Sequence, residues 1–133
     1  MNAVVQMTLR SCVVLFFSLV SNCLCAQSLP KEDLGAAIST SSAKEIVKLT
    51  GPVIELNLEG QKVNCKQAEA LGRLRTFFQK YPVSSFEFVH EGKSPNGQIF
   101  LIGQYKTGQK KFRVHVLLEA HSSRYLVKVL SFY

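Results

Sequence analysis

The C-terminal half of the chain alternates between apolar and polar residues with a period of two. The alternation is clearest from Phe112 to Leu118, where every second residue is aromatic or aliphatic. This period is typical of β-strands that bury one face. It predicts four strands, over Phe86–Glu91, Gln98–Lys106, Lys110–Glu119 and Tyr125–Phe132. Because short turn sequences separate them, we expect an antiparallel meander.

A helical period replaces this alternation in the middle of the chain. It predicts a long helix from Lys66 to Tyr81, with Asn64 as the N-cap and Pro82 as the stop. Gly72 weakens this helix by about 1 kcal/mol relative to alanine. The residues that form its apolar stripe are Ala70, Leu71, Leu74, Phe77, Phe78 and Tyr81.

Two shorter helices and one strand precede the long helix. Pro30 suits the first turn of the first helix, and Ser42 with Glu45 forms a capping box for the second. Gly51-Pro52 should end the second helix. Val53 to Leu58 then alternates as a half-buried strand, and Glu59-Gly60 is typical of a turn.

Residues 1–26 have the composition of a secretory signal peptide. Arg10 is their only charged residue, an apolar run extends from Ser11 to Val20, and a short mixed segment follows. The run is shorter than the roughly 20 residues that span a bilayer, so a membrane anchor is the less favoured alternative. Cleavage after Ala26 or after Cys25 fits the pattern, and lipidation of Cys23 is a third option.

Removal of residues 1–26 from a chain of 133 residues leaves 107, with a net charge of +6 because Arg10 is lost from a total of +7. This length suits one domain, residues 27–133, with a single core. Cys65 is the only cysteine left, so no disulfide can form within this part. A lone thiol of this kind is more often buried and inert than reactive.

Two stretches are the most specific pieces of a wider pattern, His90-Glu91-Gly92-Lys93-Ser94 and Phe112-Arg113-Val114. Its further residues are Pro30, Ala37 to Thr40, Ala43, Ala68, Ala70, Leu74, Phe77-Phe78, Ser85-Phe86, Gly97, Ile102-Gly103, Thr107 and Leu117-Leu118. In these residues the chain resembles a family of exported bacterial proteins, domain of unknown function 4783, within the nuclear transport factor 2-like superfamily. Lys62 to Lys66 and the apolar tail Val129 to Tyr133 depart from the family pattern.

The resemblance implies an α+β domain with a cone-shaped nuclear transport factor 2-like fold, in which a curved antiparallel sheet packs on the N-terminal helices. It implies no reaction, because the family has no assigned activity. Both faces of the predicted sheet carry large side chains, and a homodimer through the sheet would cover the second face.

His90 is the best single candidate for chemistry. Strand alternation places it on one face with Phe86 and Phe88, opposite Glu87 and Glu91. A histidine among aromatic neighbours can serve as a general base near neutral pH, and Glu91 would be its acid–base partner. The structural alternative is a histidine that bonds to the turn at residues 92–97.

Arg113 and His115 share a face of the third strand of the meander and could bind an anionic group. The alternative is an ion pair between Arg113 and Glu87 or Glu91. The spacing of His90, His115 and His121 does not indicate a metal site.

Four basic residues cluster at one hairpin, and Lys93 could lie near them. Contact with envelope polyanions or lipid head groups is one interpretation, and a solvated strand edge that resists aggregation is the other. No nucleic-acid motif, nucleotide-binding glycine loop or other sign of a cofactor is present. The clustered residues are Lys106, Lys110, Lys111 and Arg113.

These observations favour an exported, non-catalytic module that holds a small apolar or anionic ligand, or a partner, between the long helix and the sheet. The expected ligand-binding residues are His90, Phe86, Phe88, Arg113 and His115. An isomerase- or hydratase-like enzyme using His90 and Glu91 is the second hypothesis, and a basic module for envelope polyanions is the third. In each case the expected location is periplasmic or extracellular, without a transmembrane segment in the mature chain.

Overall fold

The computed structural model describes residues 29–108 and 110–133, which contain three helices and six strands. The predicted signal peptide lies outside these residues. None of the helices in the described part is long and apolar enough to cross a membrane. The elements are α1 (Lys31–Ser39), α2 (Ala43–Lys48), β1 (Thr50–Leu58), β2 (Gln61–Lys66), α3 (Gln67–Lys80), β3 (Val83–Lys93), β4 (Ile99–Thr107), β5 (Lys111–His121) and β6 (Arg124–Phe132).

The strands form one curved sheet in the order β2-β1-β6-β5-β4-β3. Strands β3 to β6 are the predicted antiparallel meander. Strand β1 pairs antiparallel with β2 but parallel with β6, so the sheet is antiparallel except at this one junction. The fold class predicted from the sequence is therefore confirmed, with a parallel pair that local patterns did not indicate.

The three helices cover the inner face of the sheet, and Phe77 of α3 lies at the centre of the core. Its ring is 4.7 Å from that of Phe132 and 5.2 Å from that of Phe112, measured between centroids. The hydroxyl of Tyr105, which is fully buried, donates to the backbone oxygen of Tyr81 at 2.6 Å. This bond satisfies a carbonyl at the end of α3 and fixes the helix against β4.

Strand β2 was not predicted, and its presence makes the predicted N-cap of the long helix wrong. Asn64 lies in β2 opposite Glu55, and Lys66 occupies the N-cap position of α3. The two-residue connection Glu59-Gly60 has positive φ at both residues, 54° and 87°, as tight hairpins require. The predicted turn is thus confirmed, and it joins two strands.

The start of β1 also differs from the prediction. Helix α2 ends at Lys48, and Thr50, Gly51 and Pro52 already belong to the strand. The pairing of β1 with β6 shifts register between Thr50 and Glu55, and this irregularity accommodates a proline that cannot donate a ladder bond. Ser42 caps α2 as predicted, accepting from the amide of Glu45 at 3.4 Å.

Cys65 lies in β2 with its side chain in the core, as expected of an inert thiol, and 3% of its surface is exposed. Burial raises the pKa of this thiol, and the nearby carboxylate of Glu69 raises it further. The reactive thiolate is therefore scarce at neutral pH.

Candidate functional site

A groove of about 590 Å³ runs between helix α3 and the β1–β2 hairpin. Leu56, Leu58 and Val63 form its apolar wall, and Phe77 lies at its base. This volume falls within the range of about 300–1,000 Å³ that small-molecule sites occupy. The polar residues along its rim are Glu59, Gln61, Arg73, Thr76 and Lys80.

Gly72 lines the groove on its helical side, at an exposed position of α3. A Cβ atom at this position would meet no other atom within 4 Å, so no close packing inside the domain requires glycine there. A glycine within a helix costs about 1 kcal/mol relative to alanine.

The rim of the groove contains a carboxylate surrounded by donors. Glu59 accepts a hydrogen bond from the Tyr81 hydroxyl at 2.5 Å and lies 3.5 Å from the ammonium group of Lys80. Lys110 reaches the same carboxylate at 3.9 Å and donates to the Tyr81 hydroxyl at 3.3 Å. The bond from Tyr81, reinforced by the charges of Lys80 and Lys110, lowers the pKa of Glu59.

A bulge in β3 makes the predicted facing of His90 wrong. Phe88 pairs with Gly103 and His90 with Ile102, so Val89 is an additional residue in the strand. From His90 to the end of β3, each side chain therefore lies on the face opposite to the one that simple alternation predicts. His90 lies on the outer face with its ring 5.9 Å from that of Phe100, and its side chain makes no hydrogen bond to another described residue.

Glu91 lies on the opposite face of the sheet from His90. It pairs with Leu101, which is fully buried on the inner face, and its carboxylate meets Lys31 of α1 at 2.8 Å. The sheet therefore separates the two side chains that the enzyme hypothesis needs together.

Phe86 and Phe88 are part of the inner packing instead of a ligand site with His90. Their rings meet edge to face with centroids 4.9 Å apart, and both pack against the core. Gly35 of α1 lies directly above Phe88, where an added Cβ atom would be 3.4 Å from the ring. The two phenylalanines thus pack between the sheet and α1.

Arg113 and His115 share the outer face, as predicted. A depression of about 410 Å³ lies beside Arg113, with Lys111, Gln104 and Tyr133 also lining it. The ring of His115 packs on that of Tyr133 at 4.9 Å. Among the described residues Arg113 makes no ion pair, so the predicted pairing with Glu87 or Glu91 is absent.

His115 should make stability depend on pH. Burial, with a contribution from the charge of Arg113, lowers its pKa below the ordinary 6.5, and its Nε2 is buried without a partner. Because the unfolded chain takes up the proton first, stability should be complete above pH 6.5 and should fall as pH drops from there towards the folded pKa. Urea unfolding at a series of pH values measures this slope. His115→Gln should remove it, whereas a slope lost equally in His121→Gln, at an exposed position, would contradict the assignment.

The predicted lysine cluster is only partly formed. Lys106 and Lys111 are cross-strand neighbours on β4 and β5, with Arg113 two residues further along β5. Lys110 instead turns to Tyr81 and Glu59. Lys93 pairs with Ile99 at the opposite end of β4, so its expected place near the cluster is wrong.

No group of three His, Cys, Asp or Glu side chains within residues 29–108 and 110–133 is placed to hold a metal ion. His90 and His115 are on the outer face, and His121 is exposed at the end of β5.

Comparison with known proteins identifies the family. Residues 31–132 match the domain of unknown function DUF4783. The chain belongs to this family. A DUF4783 protein from Bacteroides ovatus is 28% identical with a TM-score of 0.73, over 80% of this chain and 96% of that one. A DUF4783 protein from Bacteroides fragilis is 24% identical with a TM-score of 0.70, over 75% and 93% of the two chains.

More distant structures share only the fold. An NTF-2 like protein of unknown function from Silicibacter pomeroyi is 6% identical with a TM-score of 0.55, and the alignment covers 77% of this chain and 87% of that one. A search among curated proteins found no match. The DUF4783 resemblance and the nuclear transport factor 2-like fold are thus both confirmed.

The sequence predicts a site between the long helix and the sheet of this DUF4783 domain, but not the hairpin side of the groove, because it does not predict β2. Gln61 to Lys66 contains only two apolar residues, Val63 and Cys65. Their spacing of two, directly after Glu59-Gly60, was the available signal for a hairpin. Gly72 was noted as a weak point of the helix without a reason for its presence.

Proposed function

We propose that this protein is a non-catalytic binding module whose ligand lies in the groove between α3 and the β1–β2 hairpin. The observation that supports this most directly is the groove itself, about 590 Å³ in volume, with the half-buried Leu58 and Val63 on its wall and Gly72 on its helical side. The ligand is a small molecule with an apolar part, because the half-buried side chains of Leu58 and Val63 line the wall of the groove.

The polar rim supports binding and orientation more than catalysis. Glu59 is held by Tyr81 and Lys80, and its lowered pKa keeps it ionised at neutral pH, so it is a poor proton donor there. The separation of His90 from Glu91 removes the acid–base pair of the isomerase- or hydratase-like alternative, which we do not favour for that reason.

The test uses two substitutions at one residue. Gly72→Leu should fill the groove and weaken binding of a small apolar fluorescent probe, anilinonaphthalene sulfonate, by about tenfold or more, equivalent to about 1.4 kcal/mol. Gly72→Ala is the matched control, since it removes the same helical glycine but adds only one carbon. It should retain probe binding and raise stability by up to about 1 kcal/mol.

Fluorescence titration measures the affinity, and thermal unfolding confirms that both variants fold. Equal probe binding by Gly72→Leu and the unsubstituted protein would refute a ligand site in the groove. Absence of saturable binding by the unsubstituted protein would refute it as well.

Export is part of the proposal and is supported by the signal-peptide pattern of residues 1–26. The periplasm or the extracellular space is the expected location, with lipidation at Cys23 as the alternative. A single buried thiol, Cys65, suits an oxidising compartment because it is shielded from oxidation.

The homodimer through the sheet stays a prediction. It would use the outer face, where Phe100, Ile102, Leu117 and Val129 are only half-buried. Val89 there is 50% exposed. A second copy covering this face would remove these side chains from water.

A further inference from the structure

The outer face carries three cations that no neighbouring carboxylate neutralises. Lys106 on β4 and Lys111 on β5 are directly opposite each other, and Arg113 follows two residues along β5. None of the three takes part in an ion pair among residues 29–108 and 110–133.

Like charges directly across two strands destabilise a sheet. Opposed side chains have Cβ atoms about 4.5–5.5 Å apart, so the ammonium groups of Lys106 and Lys111 share one region of solvent. Residues two apart on a strand are about 7 Å apart, which places Arg113 at the same end of the outer face. An anion between these side chains would turn the repulsion into attraction.

The depression beside them gives such an anion a defined place. Lys111, Arg113, Gln104 and Tyr133 line it, so its charged side chains are all cationic and its other polar groups include an amide. Val89 and Ile102 supply apolar surface next to these donors. The carboxylate of Glu87 lies beyond Gln104 from Arg113 and diagonal to Lys106, and it forms no ion pair with either among the described residues.

We propose that this depression is a second site, separate from the groove, which binds the phosphate or sulfate group of a soluble ligand through Arg113, Lys111 and Lys106. The planar guanidinium of Arg113 can make two parallel hydrogen bonds to such a group, and the lysines add charge without fixed geometry. The concave shape favours a soluble ligand over a flat membrane surface. The apolar edge at Val89 and Ile102 accommodates the carbon skeleton next to the anion.

Calorimetric titration with sodium pyrophosphate tests this site, with sodium chloride of equal ionic strength as the blank. The double variant Lys111→Gln, Arg113→Gln should weaken pyrophosphate binding by about tenfold or more, equivalent to about 1.4 kcal/mol. The matched control is Lys44→Gln, Arg75→Gln, which removes the same charge from two exposed helical positions that form no ion pair among the described residues. This control should bind pyrophosphate as the unsubstituted protein does.

Four outcomes would overturn the proposal. The first is that pyrophosphate shows no saturable binding, and the second is that neither double variant changes its affinity. The third is that both double variants weaken pyrophosphate binding equally. The fourth is that the protein binds anionic phosphatidylglycerol vesicles but not pyrophosphate. Equal weakening would indicate attraction by net charge alone. Thermal unfolding of each variant verifies folding, and Arg113→Lys should bind with intermediate affinity because it keeps the charge and loses the planar fork.

Discussion

Phe77→Ala should lower the free energy of unfolding by about 3–5 kcal/mol, a large part of the roughly 5–15 kcal/mol that stabilises a typical domain. The ring of Phe77 is within 6.0 Å of the rings of five other aromatic residues, measured between centroids, and 4% of its surface is exposed. Its neighbours come from α3, β4, β5 and β6, so the cavity could not close by moving one element. The aromatic neighbours are Phe78, Tyr81, Tyr105, Phe112 and Phe132.

Urea denaturation measures this loss as a shift in midpoint with an unchanged slope. Phe77→Leu should lose less, because it fills most of the same volume. Val53→Ala is the surface control, since Val53 is 56% exposed, and it should change stability by less than about 0.5 kcal/mol. A loss below about 1 kcal/mol for Phe77→Ala would show that the core does not depend on this ring.

Gly103→Ala should destabilise the domain by about 1–3 kcal/mol although it adds only one carbon atom. A Cβ atom at this position would be 2.7 Å from the ring of Phe86 and 2.9 Å from the backbone oxygen of Glu87. The ring could turn aside, but the backbone oxygen can move only if β3 shifts relative to β4. The strain therefore falls on the strand pairing.

Gly92→Ala provides the comparison within the same strand pair. The three atoms nearest to a Cβ atom there all belong to the ring of Phe100, which lies on the half-open outer face and can rotate towards solvent. Thermal unfolding should show a smaller loss for Gly92→Ala than for Gly103→Ala. A larger loss for Gly92→Ala would mean that β3 shifts relative to β4 at a lower cost in free energy than the Phe100 ring rotates.

The sequence predicted those elements whose own residues decide their structure. The helix observed at Gln67–Lys80 differs by one residue at each end from the prediction, because a wide apolar stripe and Pro82 define it locally. The four strands of the meander were likewise found from alternation and turn residues. Both signals depend on neighbours in the sequence alone.

The features that the sequence did not predict are contacts between distant parts of the chain and irregularities of a single residue. The parallel pairing of β1 with β6 joins residues more than 70 positions apart, and no local pattern specifies that partner. The bulge at Val89 is a single additional residue, yet it reverses the facing of His90 and Glu91. The predicted site at His90 depended on this facing, and the groove depended on the unpredicted strand β2, so the site was predicted less well than the fold.

The central position of β6 has a consequence for how the chain reaches its native state. Without Arg124–Phe132 the sheet exists as two separate pieces, the β1–β2 hairpin and the β3–β4–β5 meander. A ribosome delivers this stretch after all the other strands, so the two pieces cannot be joined while it is still inside the exit tunnel. Native pairing between widely separated segments also slows folding. The sheet therefore stays incomplete until Arg124–Phe132 has left the tunnel, and until then the two pieces have unpaired strand edges.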